Sequence, residues 1–92
     1  MQFEWDRKKA KYNLRKHGVS FEEASTVFDD DLAAFYEDPD HSVHEERFLM
    51  MGTSVRGRLL YIAFADRNER IRIITARMPT KEEKKLYEEE NR

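Results

Sequence analysis

Cysteine is missing from the 92-residue chain, and glycine and proline are scarce, at three and two residues. Without cysteine there is no disulfide, no thiolate metal site and no cysteine nucleophile, and this usage accords with a reducing cytoplasm. Gly18, Gly52 and Gly57 are isolated from one another, so there is no Walker loop and no Gly-x-Gly-x-x-Gly turn. No Gly-x-Ser-x-Gly elbow occurs either. These absences remove ATPases, dinucleotide enzymes and serine hydrolases. No apolar run approaches the roughly 20 residues that cross a bilayer. The start, Met1-Gln2-Phe3-Glu4-Trp5-Asp6, lacks the charged beginning and apolar stretch of a secretory signal. The expectation is a soluble cytoplasmic protein without membrane contact. His17, His41 and His44 lack the i, i+4 helical spacing of a zinc site, and the last two fall in a loop. Neither a metal nor another cofactor is expected.

What the chain has in abundance is charge. Charged residues make up 39%, against a usual quarter, and apolar residues another 39%. A chain of this length reads as one domain, residues 1–92, with a modest core. The net charge is −2, but its distribution is uneven. Residues 1–18 hold six Lys/Arg against two acids, residues 29–46 hold eight acids and no Lys/Arg, and residues 47–77 hold seven Arg against two acids. If folding unites the two basic blocks, an acidic protein presents a phosphate-binding face. If it does not, the charges simply solvate surfaces.

Hydrophobic periodicity gives an order of elements. Phe3-Glu4-Trp5 alternates as a short strand does. Asp6 is a helix cap, Arg7–His17 the helix and Gly18 its stop. Ala10, Leu14 and His17 share the apolar face of this helix, with Asn13 beside them, while Lys8, Lys11 and Arg15 form a solvated face. Ser20 and Glu23 signal a capping box and a second short helix carrying Phe21, Ala24, Val27 and Phe28, ended by Asp29-Asp30-Asp31. Strands are expected over Leu32–Tyr36, Arg47–Thr53, Arg58–Ala65 and Arg70–Arg77, with turns at Asp38-Pro39-Asp40, Arg56-Gly57 and Asp66–Glu69. The third of these strands is almost continuously apolar and reads as central. Thr80 with Glu83 caps a last helix, Lys81 to about Glu90. Helices grouped ahead of an antiparallel meander of three to four or more strands make an α+β fold.

The remaining chemistry rests on His, Arg, Lys, Glu and Tyr. That set suffices for metal-independent RNA cleavage, because RNA supplies its own 2′-hydroxyl nucleophile. The protein needs only a base, an acid and cations for the charge gathering on phosphorus. His17 is an acid–base candidate with a near-neutral pKa, or a packed histidine at a helix C-terminus. Lys9 and Lys16 lie seven apart and can follow one RNA backbone, or be solvated. Arg47 and Arg77, at strand ends, can meet a phosphate bidentately or pair with an acid such as Glu46. Glu46 is itself a candidate base. Arg72 falls between Ile71 and Ile73 on one sheet face and is a further RNA contact. Tyr87 is a core or edge aromatic or an RNA contact, and Trp5 a core anchor or a stacking ring.

Read as strings, residues 3–28 carry Phe3-Glu4-Trp5-Asp6, Lys9-Ala10, Asn13, the run Lys16-His17-Gly18-Val19-Ser20-Phe21-Glu22-Glu23-Ala24, and Val27-Phe28. Further on stand His41-Ser42, Glu46-Arg47, Gly52, Arg56-Gly57-Arg58-Leu59-Leu60, Ile71-Arg72-Ile73-Ile74-Thr75-Ala76-Arg77, Glu83 and Tyr87. Over about residues 3–90 this resembles the BrnT family. The resemblance implies a RelE-like fold within the barnase/EndoU/colicin/RelE-like group. It also implies an endoribonuclease toxin of a type II toxin–antitoxin system that stops translation. It implies a ribbon-helix-helix antitoxin, BrnA-like, that neutralises the toxin in a hetero-oligomer and makes the DNA contacts. His17, Lys16, Arg47 and Arg77 match family positions. Two departures stand out: Thr75 replaces a common Ser, and Met78 a common basic residue. Two other readings compete with a nuclease. One is a non-catalytic, toxin-like module that holds a DNA-binding antitoxin and modulates operon repression. The other, an autonomous DNA-binding repressor, is disfavoured by the net charge of −2 and the lack of a clear recognition helix.

Overall fold

The computed structural model describes residues 1–38 and 45–90. Along them run β1 (Gln2–Glu4), α1 (Arg7–His17), α2 (Phe21–Thr26) passing into a 3-10 turn (Val27–Asp29), β2 (Ala34–Glu37), β3 (Arg47–Thr53), β4 (Leu59–Arg67), β5 (Arg70–Arg77) and α3 (Lys81–Glu90). Local chemistry sets most of the ends. Asp6 caps α1 by accepting from the N–H groups of Lys8 and Lys9 at 2.8 and 3.1 Å. Gly18 closes it at φ +69°, where a side chain would be strained. The Thr80–Glu83 box at α3 is complete in both directions. At α2 only half of the expected box forms. The Ser20 hydroxyl accepts from Glu23 N–H, but the Glu23 carboxylate turns inward, accepting from Arg58 Nε at 2.9 Å and Ser54 Oγ at 2.7 Å. The turn expected at Pro39-Asp40 and the histidines at 41 and 44 lie outside the described residues. Among those described, no helix is long and apolar enough to cross a membrane.

The strands form one sheet in the order β1-β5-β4-β3-β2. Neighbours from β2 to β5 are antiparallel, as the meander predicts, with β4 central. The sheet is nevertheless mixed, because β1 adds to its edge parallel to β5, with Phe3 opposite Ile71. Short-connection rules govern neighbours in sequence, and no hairpin ties β1 to β5.

Alternation divides the sheet into two faces. Met50, Leu60, Ile62, Phe64, Ile71 and Ile73 point toward α1 and α2 and meet Val19, Phe21, Ala24 and Val27 in the core. Aromatic edges extend it: Phe28 stands 5.1 Å from Phe3 and 5.0 Å from Phe64, and Trp5 5.9 Å from Phe21. Trp5 is thus a core anchor. Gly52 lets the 3-10 turn approach β3, since a Cβ there would lie 2.8 Å from Val27 Cγ1. The opposite face is open except where α3 lies across one end.

The burial of α1 departs from its hydropathy. Leu14 is 52% exposed, whereas Asn13 is 4% exposed. The cause is in the sheet. Strand β1 pairs with β5 only as far as Arg72, so the edge of β5 beyond it has no strand partner. The Asn13 side chain takes that place. Its Nδ2 donates to Ala76 O at 2.7 Å and to Val19 O at 2.9 Å, and its Oδ1 accepts from Ala76 N–H at 3.1 Å. A buried backbone pair is thereby satisfied by one amide. Asn13→Ala is expected to lower the unfolding free energy by about 3 kcal/mol, the cost of stranding these buried groups. Urea unfolding checks this, and a loss within experimental error would show that water replaces the amide.

Candidate nucleic-acid interface on the open sheet face

One irregularity in β5 determines what the open face carries. Arg72 and Arg77 are five residues apart, so a regular strand would put them on opposite faces. The pairing with β4 shifts at Ala63/Phe64: Phe64 opposes Ile73, Ala63 opposes Thr75, and Ile74 is the extra residue. This bulge turns Arg72, Thr75 and Arg77 all to the open side. Following the register across the strands gives three rows, spaced by roughly 7 Å, two strand residues. Glu4, Arg72, Ala65 and Arg47 form the first, Thr75, Ala63, Leu49 and Tyr36 the second, and Arg77, Tyr61, Met51 and Ala34 the third. Long cations stand at both ends, over a middle floor that is low at Ala63 and Thr75.

The first end is an ion network. Arg72 Nη1 lies 2.9 Å from Glu4 Oε2, with Arg67 at 3.6 Å and Arg70 at 3.8 Å from the same carboxylate group. Arg67 also holds Glu45, at 2.8 Å through Nε. Its hydrogen bond keeps the Glu45 carboxyl below its usual range against the opposing effect of desolvation, with help from the charges of Arg67, Arg47 and Arg72. Four guanidinium groups and two carboxylates leave a formal +2. Arg47 is the least satisfied member. It reaches Glu45 only at 4.0 Å, and its Nε is buried with no hydrogen-bond partner among the described residues. Beside it opens a cleft of about 210 Å³ lined by Glu37, Glu46, Arg47 and Phe48.

The other end is organised by α3. Arg77 donates through both Nη atoms to Glu83, at 2.8 and 2.9 Å, and its guanidinium lies 4.4 Å from the Tyr61 ring centroid. Tyr87 donates to Leu32 O at 3.3 Å, and Tyr36 to Glu90 at 3.1 Å. Glu83, Tyr87 and Glu90 follow the i, i+4, i+7 stripe, so one side of α3 spans from β5 to β2. Burial raises the pKa of Tyr36 to about 12, assisted by its bond to Glu90. Burial also raises that of Tyr61, with the Glu83 charge adding to it.

The structure brings Arg47, Arg72 and Arg77 onto one face, with Glu46 beside Arg47 and Tyr87 at the α3 end. It does not bring His17, Lys9 or Lys16 there. These three belong to α1, which packs on the other side of the sheet. The Ala76 backbone that Asn13 grips belongs to the strand whose Arg77 points away from the helix. The acid–base pairing of His17 with the two arginines is therefore not formed. Glu46 makes no salt bridge to Arg47 among the described residues; Glu45 occupies that position instead. Glu4, Arg67, Arg70 and Tyr61 join the face without having been named as site residues from the sequence, and Glu83, expected as a helix cap, also holds Arg77. Only β-strand alternation from Arg67 and Tyr61 pointed to them, and the bulge hid the parity of β5.

The Arg77 hydrogen bond, opposed by desolvation and aided by the Thr80 N–H, holds the Glu83 pKa at about 2 instead of 4.5. A lowered carboxyl pKa contributes stability that is complete above pH 4.5 and lost as pH falls toward 2. Thermal melts of the parent should fall steeply across that window. Glu83→Gln should melt lower at pH 7 and lose part of this acid dependence; an unchanged acid limb would remove Glu83 from the account.

Comparison with known proteins agrees with the fold. Residues 5–83 match the family described as "Ribonuclease toxin, BrnT, of type II toxin-antitoxin system". The crystal structure of the Brucella abortus ribonuclease toxin BrnT superposes with a TM-score of 0.64 at 18% sequence identity, covering 88% of this chain and 99% of that one. At that identity the likeness is one of fold, an α+β arrangement with a mixed five-stranded sheet. No curated protein sequence matches the chain. The match over most of its length settles the family: the chain belongs to the BrnT ribonuclease toxins of type II toxin–antitoxin systems.

Proposed function

We propose that this toxin is a metal-independent endoribonuclease and that cleavage takes place on the open sheet face, between Arg47 and Arg77. The observation that carries the reading is the buried, unpartnered Nε of Arg47. A half-buried cation with one buried donor unused gains a charge-assisted hydrogen bond when a phosphate arrives. The phosphate sits over Ala63 and Thr75, where two rows of long side chains converge on a low floor. Arg47 and Arg77 stabilise the phosphorane, and Arg72 and Tyr87 flank the RNA. Glu46, exposed beside Arg47, takes the 2′-hydroxyl proton as that oxygen bonds to phosphorus. The bond to the 5′ oxygen breaks, and the Tyr61 hydroxyl, protonated at neutral pH as phenols ordinarily are, gives that oxygen a proton. The products are a 2′,3′-cyclic phosphate and a 5′-hydroxyl, and solvent restores both protein groups.

Membership of a type II toxin family implies an antitoxin partner. We infer a ribbon-helix-helix antitoxin, BrnA-like, that forms a hetero-oligomer with the toxin and carries the DNA contacts, leaving the toxin to cut RNA and arrest translation in the cytoplasm.

Purified RNA incubated with the chain in EDTA tests the chemistry. The parent should cleave. Arg47→Ala should lower the rate on the order of 10²–10³-fold with its melting temperature unchanged, the usual loss for one oxyanion-stabilising donor. Glu46→Gln and Tyr61→Phe should each cost about 10²-fold or more. Arg77→Ala should lose cleavage and also melt earlier, because Glu83 loses its partner. His17→Ala should keep cleavage. Full activity in Arg47→Ala, or cleavage by the parent only when a divalent metal is added, would overturn the mechanism.

A further inference from the structure

The fold treats its two sets of cations differently. Every arginine from Arg47 to Arg77 lies within 4.0 Å of a carboxylate. Arg7, Lys8, Lys9, Lys11, Arg15 and Lys16 of α1 form no salt bridge among the described residues, and the first turn of the helix holds no acid. With the Asp6 cap included, residues 6–17 carry six positive charges against one negative. Lys81, Lys84 and Lys85 of α3 likewise form no salt bridge among the described residues, but they share their helix with five glutamates. The densest block of unpaired positive charge is therefore α1, on the far side of the sheet from the proposed cleavage site.

That charge has a pattern. Asn13 is buried and Ala10 and His17 are half-buried. At 100° per residue, the opposite arc holds Lys8, Lys11, Tyr12 and Arg15. The three cations run about 10 Å along the axis. The Tyr12 ring stands among them, 55% exposed, with Lys16 Nζ 5.5 Å above its centroid.

We propose that the outward face of α1 is a second RNA-docking surface, on which Lys8, Lys11 and Arg15 hold phosphates and Tyr12 stacks a base. Free cations spaced along a helix attract any polyanion, but the exposed ring among them distinguishes the partner. Every nucleobase offers a flat face to stack beside its phosphate, whereas the carboxylates of an acidic peptide offer none. The role in catalysis rests on the cleavage reading above: α1 would retain a long RNA while the open face cuts it. The docking itself can be measured without cleavage.

The probe is a fluorescein-labelled 2′-O-methyl RNA 20-mer, which has no 2′-hydroxyl to react, titrated by anisotropy between 50 and 300 mM salt. The triple variant Lys8→Gln/Lys11→Gln/Arg15→Gln should bind at least tenfold more weakly near 100 mM salt. Its log–log salt slope should be shallower by about 2, three contacts at roughly 0.7 each. Tyr12→Ala should bind roughly tenfold more weakly with its slope unchanged. Circular dichroism should match the parent, since these positions are exposed and glutamine favours helix. Cleavage of a tetranucleotide, too short to reach both faces, should keep the parent rate. Parent affinity and slope in the triple variant would overturn the proposal. So would intact RNA binding with loss of binding to purified antitoxin, which would make the helix a protein interface. If the expected slope change appears but the parent cuts no RNA, docking stands and the cleavage reading falls.

Discussion

The single amide of Asn13 joins the two layers of this protein. It hydrogen-bonds both backbone groups of Ala76 and the carbonyl of Val19, so it ties α1 to the bulged half of β5 and to the turn leading into α2. The bulge at Ile74 lies two residues from the Ala76 that this amide holds. An extra residue disrupts the ladder locally, and β1 stops short of covering the edge beside it. With the amide in place, β5 keeps a conformation in which Arg72, Thr75 and Arg77 face the same way. The geometry of the open face is in this sense set from the opposite side of the sheet.

Charge is handled by pairing where it is crowded. The arginines at the β1/β5 end stand close enough to repel one another, and Glu4 and Glu45 hold them in place without cancelling them. Glu23, almost fully buried, is tolerable because Arg58 and Ser54 satisfy it, and the same bonds hold its pKa below the usual range against desolvation. It ties α2 to the turn between β3 and β4. Arg47 differs from its neighbours in having a buried donor with no hydrogen-bond partner among the described residues.

The third helix has a dual position. It has no fully buried residue and is fastened mainly by polar contacts, from Glu83 to Arg77, Tyr87 to Leu32 and Glu90 to Tyr36. Met51, on the open face, is buried at the end this helix overlies. Arg77 therefore serves both the docking of α3 and the charge of the open face, which is why its removal is expected to affect stability as well as chemistry.

The sequence by itself determined the elements and their ends. Asp6, Gly18, Ser20 and Thr80 are local signals, and the β-branched and aromatic runs of β3, β4 and β5 are sufficient to form strands. It also determined the family, since the run from Lys16 to Ala24 and that from Arg72 to Arg77 are specific strings. Only the tertiary structure decided which residues share a face. The parity of Arg72 and Arg77 depends on a bulge, and the bulge on long-range pairing with β4. The burial of Asn13 over Leu14 depends on an unpaired strand edge 63 residues away in the chain. The separation of His17, Lys9 and Lys16 from the arginines depends on which side of the sheet α1 covers. Hydropathy and spacing describe neighbours along the chain, whereas a site is made by neighbours across it.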